Sequence, residues 1–394
     1  MNKKSYILSL LFLVTLSSLT CQNKDKGPKT GAERTDLYFN LLKGRRIAVV
    51  ANQTSVIGET HLVDSLVAAG FDVVKVFGPE HGFRGDASAG ELILDNTDPI
   101  TGIPVISLYG SHKKPTAEDL ADLDLVVFDI QDVGARFYTY ISTMTYVMEA
   151  CAENNTQFLV LDRPNPHGDY VDGPVLKDGF ESFVGLHHIP VVHGMTVGEY
   201  ARMVNGEGWL EKEISANLKV IPVDNYNHTT QYALPVGPSP NLPNDDAICL
   251  YPSICFFEGT VVSVGRGTNL PFQVLGHPDL NTGSITFTPE SRPEAKYPKL
   301  EGIRCFGQNL HSFAETTCIN DRRIHLSWLI NYYEQLKDNT EFFNDYFDTL
   351  AGDSTLRNQI VTGQSEEEIR QSWQADLDNF KSIRKKYLLY PDFE

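Results

Sequence analysis

Apolar and polar residues come in alternating blocks along the first half of the chain. Residues 46–51 form an apolar run that predicts a first strand, and the polar turn Asn52-Gln53-Thr54-Ser55 follows it. Residues 61–69 carry Leu62, Leu66 and Ala69 at helical spacing, with Gly70 to close the helix. Residues 72–77, 104–108, 125–129 and 157–161 read as four more strands. Residues 139–154 read as a helix with Ile141, Met144, Val147, Met148 and Cys151 on one face. Thr116 and Thr196 stand where helix N-caps are expected. Strands alternating with helices predict βαβ units and a mostly parallel sheet. Continuous apolar strands predict helices on both of its faces.

Near residue 220 the pattern changes. Pro235, Pro238, Pro240, Pro243 and Pro252 crowd a short region, and the alternation stops. Residues 255–264 read as a strand, broken by Gly265-Arg266-Gly267. Two helices are predicted later, over 324–336 and over 367–387, the latter behind a Ser365/Glu368 capping box. The expected fold is α/β. A Rossmann-like, mostly parallel sheet domain spans residues 36–232, and a smaller α+β domain spans residues 233–394.

Polar side chains collect where the predicted strands end. Asn52 and Gln53 follow the first strand; Glu80, His81 and Arg84 follow the second, inside the Gly- and Pro-punctuated segment 77–85. Tyr109 and Ser111 follow the third. The fourth leads into Asp129, Asp132, Arg136 and Tyr138, and the fifth into Asp162, Arg163 and Asn165. The carboxyl ends of parallel strands share one edge of a sheet, so these residues should line one crevice.

Composition narrows the chemistry. The 394 residues carry 33 basic and 51 acidic side chains, a net charge of −18, which argues against a nucleic-acid partner. The first strand lacks a following GxGxxG, and no GxxxxGK[ST] occurs, so a nucleotide is not the expected ligand. There is no GxSxG nucleophile elbow. Without HExxH or CxxC, His81, His187, His188, His193, Asp129 and Asp132 remain as scattered metal ligands, and no metal or other cofactor is expected. Paired carboxylates suit glycoside hydrolysis, with Glu80, Asp129, Asp132 and Glu258 as candidates. Asp129 can equally cap nearby amides. Arg136, Arg163 and Arg266 can each grip a substrate carboxylate or pair with a neighbouring acid.

Lys3 and Lys4, the apolar residues 7–16 and Ser17 to Thr20 predict an export signal over residues 1–20. Cys21 then resembles the lipidated cysteine of a bacterial lipoprotein, although Leu19 and Thr20 depart from the usual pattern. Ordinary signal cleavage is the alternative. The expected location is the periplasm or a membrane anchor through Cys21, with residues 21–35 as a tether. Export permits disulfides. Cys249–Cys255 and Cys305–Cys318 are candidate pairs, and Cys151 is expected to be a buried free thiol.

Residues 77–85, 101–110, 128–140 and 161–166 are joined by His193-Gly194-Met195-Thr196, Pro238-Ser239-Pro240-Asn241, Glu258-Gly259-Thr260 and Gly265-Arg266-Gly267-Thr268. Together they resemble the NamZ family over roughly residues 42–390. The resemblance implies an exo-β-N-acetylmuramidase that releases terminal N-acetylmuramic acid from peptidoglycan fragments, with its site in the cleft between two domains. It makes Glu80 the leading catalytic carboxylate with His81 beside it. Arg136, Tyr138, Arg163, Asn165, His193, Glu258 and Arg266 become site-lining positions; Arg84 and Asp129 are added from the strand-end pattern. Asp132 is our choice of second carboxylate, which the resemblance does not settle. Many members carry a glutamate where this chain has Val264, so no essential carboxylate is expected there. Arginines would hold the lactyl carboxylate of muramic acid, and Phe83, Phe137 or Tyr138 its acetamido methyl. A periplasmic muropeptide-binding protein and a metal-dependent hydrolase are the alternatives.

Overall fold

The computed structural model describes residues 27–85, 95–280 and 283–394. The export signal and Cys21 lie outside these residues. Seven strands form the main sheet: β1 (Arg46–Ala51), β2 (Asp72–Gly78), β3 (Asn96–Thr97), β4 (Pro104–Ser107), β5 (Leu125–Asp129), β6 (Gln157–Leu161) and β7 (Leu218–Ile221). Their order in space is β7-β6-β5-β1-β2-β4-β3. All neighbours pair in parallel except β3, which is antiparallel to β4. From β1 the chain winds outward through β2 and β4, then crosses back to β5 on the other side of β1. That reversal opens a crevice at the carboxyl ends of β1 and β5.

Side chains alternate across each strand, so one strand feeds two cores. Ile47, Val49 and Ala51 pack with Leu125 and Val127 against α1 (Thr35–Leu42) and α2 (Leu62–Ala68). Ala48 and Val50 pack with Val126 and Phe128 against α3 (Tyr140–Glu153) and α4 (Val197–Gly206). The second core does not stop at the sheet. It runs on through Tyr251, Phe256, Leu329, Phe347 and Leu377 of the C-terminal half.

That half contains α5 (Asp245–Ile254), α6 (Ser327–Leu336), α7 (Tyr346–Ala351) and α8 (Glu366–Arg384). Its antiparallel sheet is β8 (Val274–His277), β9 (Ile285–Phe287) and β10 (Cys305–Asn309), with β10 in the middle. Several expectations are corrected here. Residues 255–264 are not a strand: Cys255–Gly259 is a 3-10 turn, and Thr260 and Ser263 then make only single bridges to Phe343 and Gly276. The proline-crowded region contains α5, capped by the Asn244 side chain, which accepts from the Ala247 N–H. Burial of Ala247, Ile248, Leu250, Tyr251 and Ile254 outweighs the poor helix propensity of Pro252. The disulfide is Cys249–Cys318, in place of both candidate pairs, while Cys151, Cys255 and Cys305 are free and buried. The expected tether is partly docked: Gly31 N donates to Asp162 O at 2.7 Å, and Ala32 is buried.

Arg136 joins the two halves, which corrects its expected place in the substrate site. Its guanidinium is fully buried and donates to Pro174 O and Ile189 O at 2.8 and 2.9 Å. On the other side it donates to Leu350 O and Ala351 O of α7 at 2.8 and 2.7 Å. Burial pushes its pKa down to about 9. A Cβ at Gly352, whose φ is +84°, would meet Nη2 at 2.8 Å, so the close approach and the backbone both require glycine. Arg136→Met keeps the apolar stem and strands four carbonyls. It should lower the unfolding free energy by about 3 kcal/mol or more, read as a lower urea midpoint. An unchanged midpoint would refute this role.

Candidate active site

Glu80 stands just past the end of β2, on a turn closed by Gly82 N donating to Pro79 O at 3.0 Å. The next residue, His81, has φ 71°. Few non-glycine residues adopt this conformation, and it persists where the surroundings hold it, often at functional sites. Here the holding contact comes from the other half of the chain: the Ser239 hydroxyl lies 3.3 Å from His81 Nε2. Thr139 Oγ1 donates to Glu80 Oε2 at 3.0 Å. The Tyr109 hydroxyl also bonds Glu80; burial, then this carboxylate, raises the tyrosine's pKa well above its ordinary value. Two hydroxyls from the loops after β4 and β5 thus orient the carboxylate.

Glu80 and His81 line a cavity of about 70 Å³. Phe137 to Tyr140 supply a second wall, Ser239, Asn241 and Leu242 a third, and Tyr251, Arg266 and Phe272 the far side. The aromatic rings meet edge to face, with centroids 4.7 Å apart for Tyr138–Tyr140, 5.8 Å for Tyr138–Tyr251 and 5.1 Å for Tyr251–Phe272. One carbonyl ties the walls together. Pro238 O accepts from Tyr138 OH at 2.8 Å, from Tyr140 OH at 3.1 Å and from Gln53 Nε2 at 3.1 Å. Arg266 enters between two glycines of positive φ, Gly265 and Gly267. Its Nε lies 3.1 Å from Glu258 Oε2, and its guanidinium covers the Phe272 ring at 4.8 Å.

The other candidates sit elsewhere. Arg163 and Asp129 are buried in a bidentate pair with contacts of 2.6 and 2.9 Å, so each is the other's partner. Arg84 pairs with Asp64 and Asp98, both at 2.9 Å, and lies over the Phe83 ring. Phe83 packs against His61 and is buried away from the cavity lining. Asn165 donates to Met195 O and accepts from His167 N, both at 2.8 Å. It also fills the space beside Gly134, where a Cβ would lie 2.2 Å from Asn165 Oδ1. Of the expected site residues, Glu80, His81, Tyr138 and Arg266 line the cavity, and Glu258 reaches it through Arg266.

Asp132 and His193 form a buried pair outside that lining. Asp132 Oδ2 accepts from Gly134 N at 2.6 Å and lies 3.9 Å from His193 Nε2. Burial raises the Asp132 pKa to about 7 despite the Gly134 and Val133 amides, and burial lowers that of His193 to about 3. Asp132 Oδ1 and His193 Nε2 have no hydrogen-bond partner among the described residues. Among those residues, the acids and histidines close enough to share an ion are Asp178, Glu181 and His188, all exposed.

Sequence reasoning missed Thr139, Tyr140, Asn241, Tyr251 and Phe272 as site residues. The phenylalanine and tyrosine positions carry the pattern of ordinary core, and only their neighbours in the fold distinguish them. Tyr109 carried a signal in its place at a strand end.

The pair has a measurable consequence. Between about pH 4 and 7 the native Asp132 keeps a proton that the unfolded chain has lost, so this group makes stability fall as pH rises through that window. His193, neutral in the native state, works in the opposite direction between about pH 3 and 6.5. Asp132→Asn removes only the first effect. Urea unfolding at pH 4.5 and 7.5 (about the edges of that window) should show the variant gaining on the wild type as pH rises. A constant difference would show that Asp132 does not hold its proton.

Comparison with known proteins agrees with this architecture. The family model described as exo-beta-N-acetylmuramidase NamZ, N-terminal, matches residues 47–246, and its C-terminal counterpart matches residues 249–390. The peptidoglycan beta-N-acetylmuramidase NamZ of Bacillus subtilis (strain 168) is 37% identical over a 415-position alignment covering 97% of each chain. A crystal structure of a DUF1343 family protein from Bacteroides fragilis NCTC 9343 superposes with a TM-score of 0.87 at 47% identity, covering 93% of this chain and 100% of the other. A second from the same organism gives 0.79 at 30% identity, covering 92% and 99%. With matched segments spanning both halves, the chain belongs to the exo-β-N-acetylmuramidase NamZ family.

Proposed function

We propose that this protein is a glycoside hydrolase that releases terminal N-acetylmuramic acid from peptidoglycan fragments, with Glu80 as the proton donor to the glycosidic oxygen. The observation that carries the assignment is that Glu80 is the one carboxylate among the described residues lining the cavity, held there by Thr139 and Tyr109. Family membership supplies the reaction class.

Each wall has a task in this reading. Glu80 in its acid form donates a proton to the glycosidic oxygen as the bond to the leaving sugar breaks, and water supplies the hydroxyl that replaces that oxygen on the anomeric carbon. Arg266, already oriented by Glu258, offers its remaining donors to the lactyl carboxylate that distinguishes muramic acid. Phe137, Tyr138 and Tyr251 provide apolar surface for the acetamido methyl and the sugar ring. Asp132 is not assigned as the second catalytic carboxylate, because it lies buried beside His193 and outside the cavity lining. The reading includes export to the cell envelope, supported by Lys3, Lys4, the apolar residues 7–16 and Cys21.

Incubation with a MurNAc–GlcNAc disaccharide should release free N-acetylmuramic acid. Glu80→Gln should lower kcat by about 10²- to 10⁴-fold with an unchanged circular dichroism spectrum. Full activity in that variant would overturn the role of Glu80. Tight binding of the disaccharide by wild type without release would instead favour a capture protein.

A further inference from the structure

The segment from Glu290 to Lys299 packs against residues of the cavity wall and their chain neighbours, held by two backbone contacts and one side chain. Glu290 N donates to Gly267 O at 3.0 Å, next to Arg266 of the cavity wall. Asn241, another wall residue, donates from Nδ2 to Glu294 O at 3.0 Å. Lys299 Nζ then donates to Phe257 O at 2.9 Å and lies 3.3 and 3.2 Å from Glu258 O and Val262 O, beneath the strip that carries Glu258. Between the anchors, Arg292 and Ala295 exchange backbone hydrogen bonds of 3.1 and 3.0 Å. Ala295 and Pro298 are buried, and a Cβ at Gly267 would meet the Pro298 ring at 2.7 Å.

Tyr297 stands between these two buried residues and is 92% exposed. It is the most exposed of the large apolar residues in the described part of the chain. A single exposed aromatic on a mobile loop needs no explanation. This one is carried on a backbone bonded to Asn241, which lines the cavity, and to Gly267, the neighbour of Arg266. A tyrosine ring so placed offers an amphipathic contact face on a backbone that is already held before any ligand arrives.

We infer that Tyr297 is an aglycone platform: its ring receives the face of a sugar in the leaving saccharide while the terminal muramic acid occupies the cavity beside Glu80. The inference rests on the muramidase reading above and extends it to the part of the substrate that is not retained. An exo-acting enzyme encloses only the terminal unit, so the rest of the glycan must cross the rim. The Glu290 to Lys299 segment, bonded to Asn241 and to Gly267 beside Arg266, is the path we assign to it. The ligand is an uncharged amino-sugar unit presenting C–H groups on its flat face. Tyr297 is a specificity-determining residue and takes no part in bond cleavage.

The test compares wild type, Tyr297→Ala and Tyr297→Trp on two substrates. One is a muramyl-terminated tetrasaccharide; the other is methyl β-N-acetylmuramide, whose aglycone has no ring. For Tyr297→Ala, kcat/KM on the tetrasaccharide should fall about fivefold or more, chiefly through KM, a loss of about 1 kcal/mol. On the methyl glycoside it should match wild type, and Tyr297→Trp should restore tetrasaccharide hydrolysis. An unchanged tetrasaccharide KM, or equal losses on both substrates, would overturn the platform and leave the muramidase reading intact. Failure of wild type to hydrolyse either substrate would overturn the muramidase reading and the platform with it.

Discussion

The structure depends on a buried cation that bonds to backbone rather than to an acid. Arg136 reaches Pro174 and Ile189 on one side and Leu350 and Ala351 on the other, so one side chain bridges the two halves beside their shared core. Both terminal nitrogens of this buried charge are occupied, while Nε has no hydrogen-bond partner among the described residues. The halves therefore keep one relative position or lose several strong hydrogen bonds together. The cavity inherits this constraint. Its walls come from loops of both halves, and the Pro238 carbonyl holds Tyr138, Tyr140 and Gln53 in register at the junction. Glu80 can be oriented by hydroxyls of its own sheet because the opposite wall does not drift.

Polar residues at strand ends do two different jobs here. Asp129 and Arg163 neutralise each other at the end of β5, in a pair that is almost wholly buried. Arg84 is divided between two aspartates. These pairs stiffen the loops around the crevice without entering it. Glu80 instead meets hydroxyl donors from Thr139 and Tyr109 on the cavity wall. The arginine across the cavity has its own acid in Glu258. Charge is thus sorted by position: the arginine–aspartate pairs lie away from the cavity lining, and Glu80 lies on it.

The same sorting explains how much could be read in advance. The bounds of β1, β5 and β6 were legible to the residue, because strands covered on both faces are continuous apolar runs. β7 was not, since its edge position leaves only Ile221 fully buried and the apolar signal is diluted. α5 was hidden by Pro252 and rescued by packing that no local rule reports. Of the residues that line the cavity, the strand ends pointed to Glu80, His81 and Tyr138, and the loop arginines to Arg266. The pattern could not separate arginines facing the cavity from arginines facing aspartates, because both kinds follow a strand with Gly or Pro nearby. That distinction is a matter of side-chain direction across contacts far apart in sequence.

The segment after α8 bears on how the chain acquires this shape. Tyr390 OH bonds the buried Asp162 carboxylate, 228 positions upstream, and its oxygen accepts from Val223 N. Leu389 N donates to Glu199, and Arg384 donates twice to Gly194 O. The parallel sheet thus draws part of its polar closure from residues made long after its own strands. A growing chain can collapse the sheet early, but Asp162 and Glu199 lack these partners until synthesis has passed Tyr390. The interior of the first half is therefore completed by the last residues of the chain, and a truncation before Leu389 would remove polar partners from Asp162 and Glu199 together.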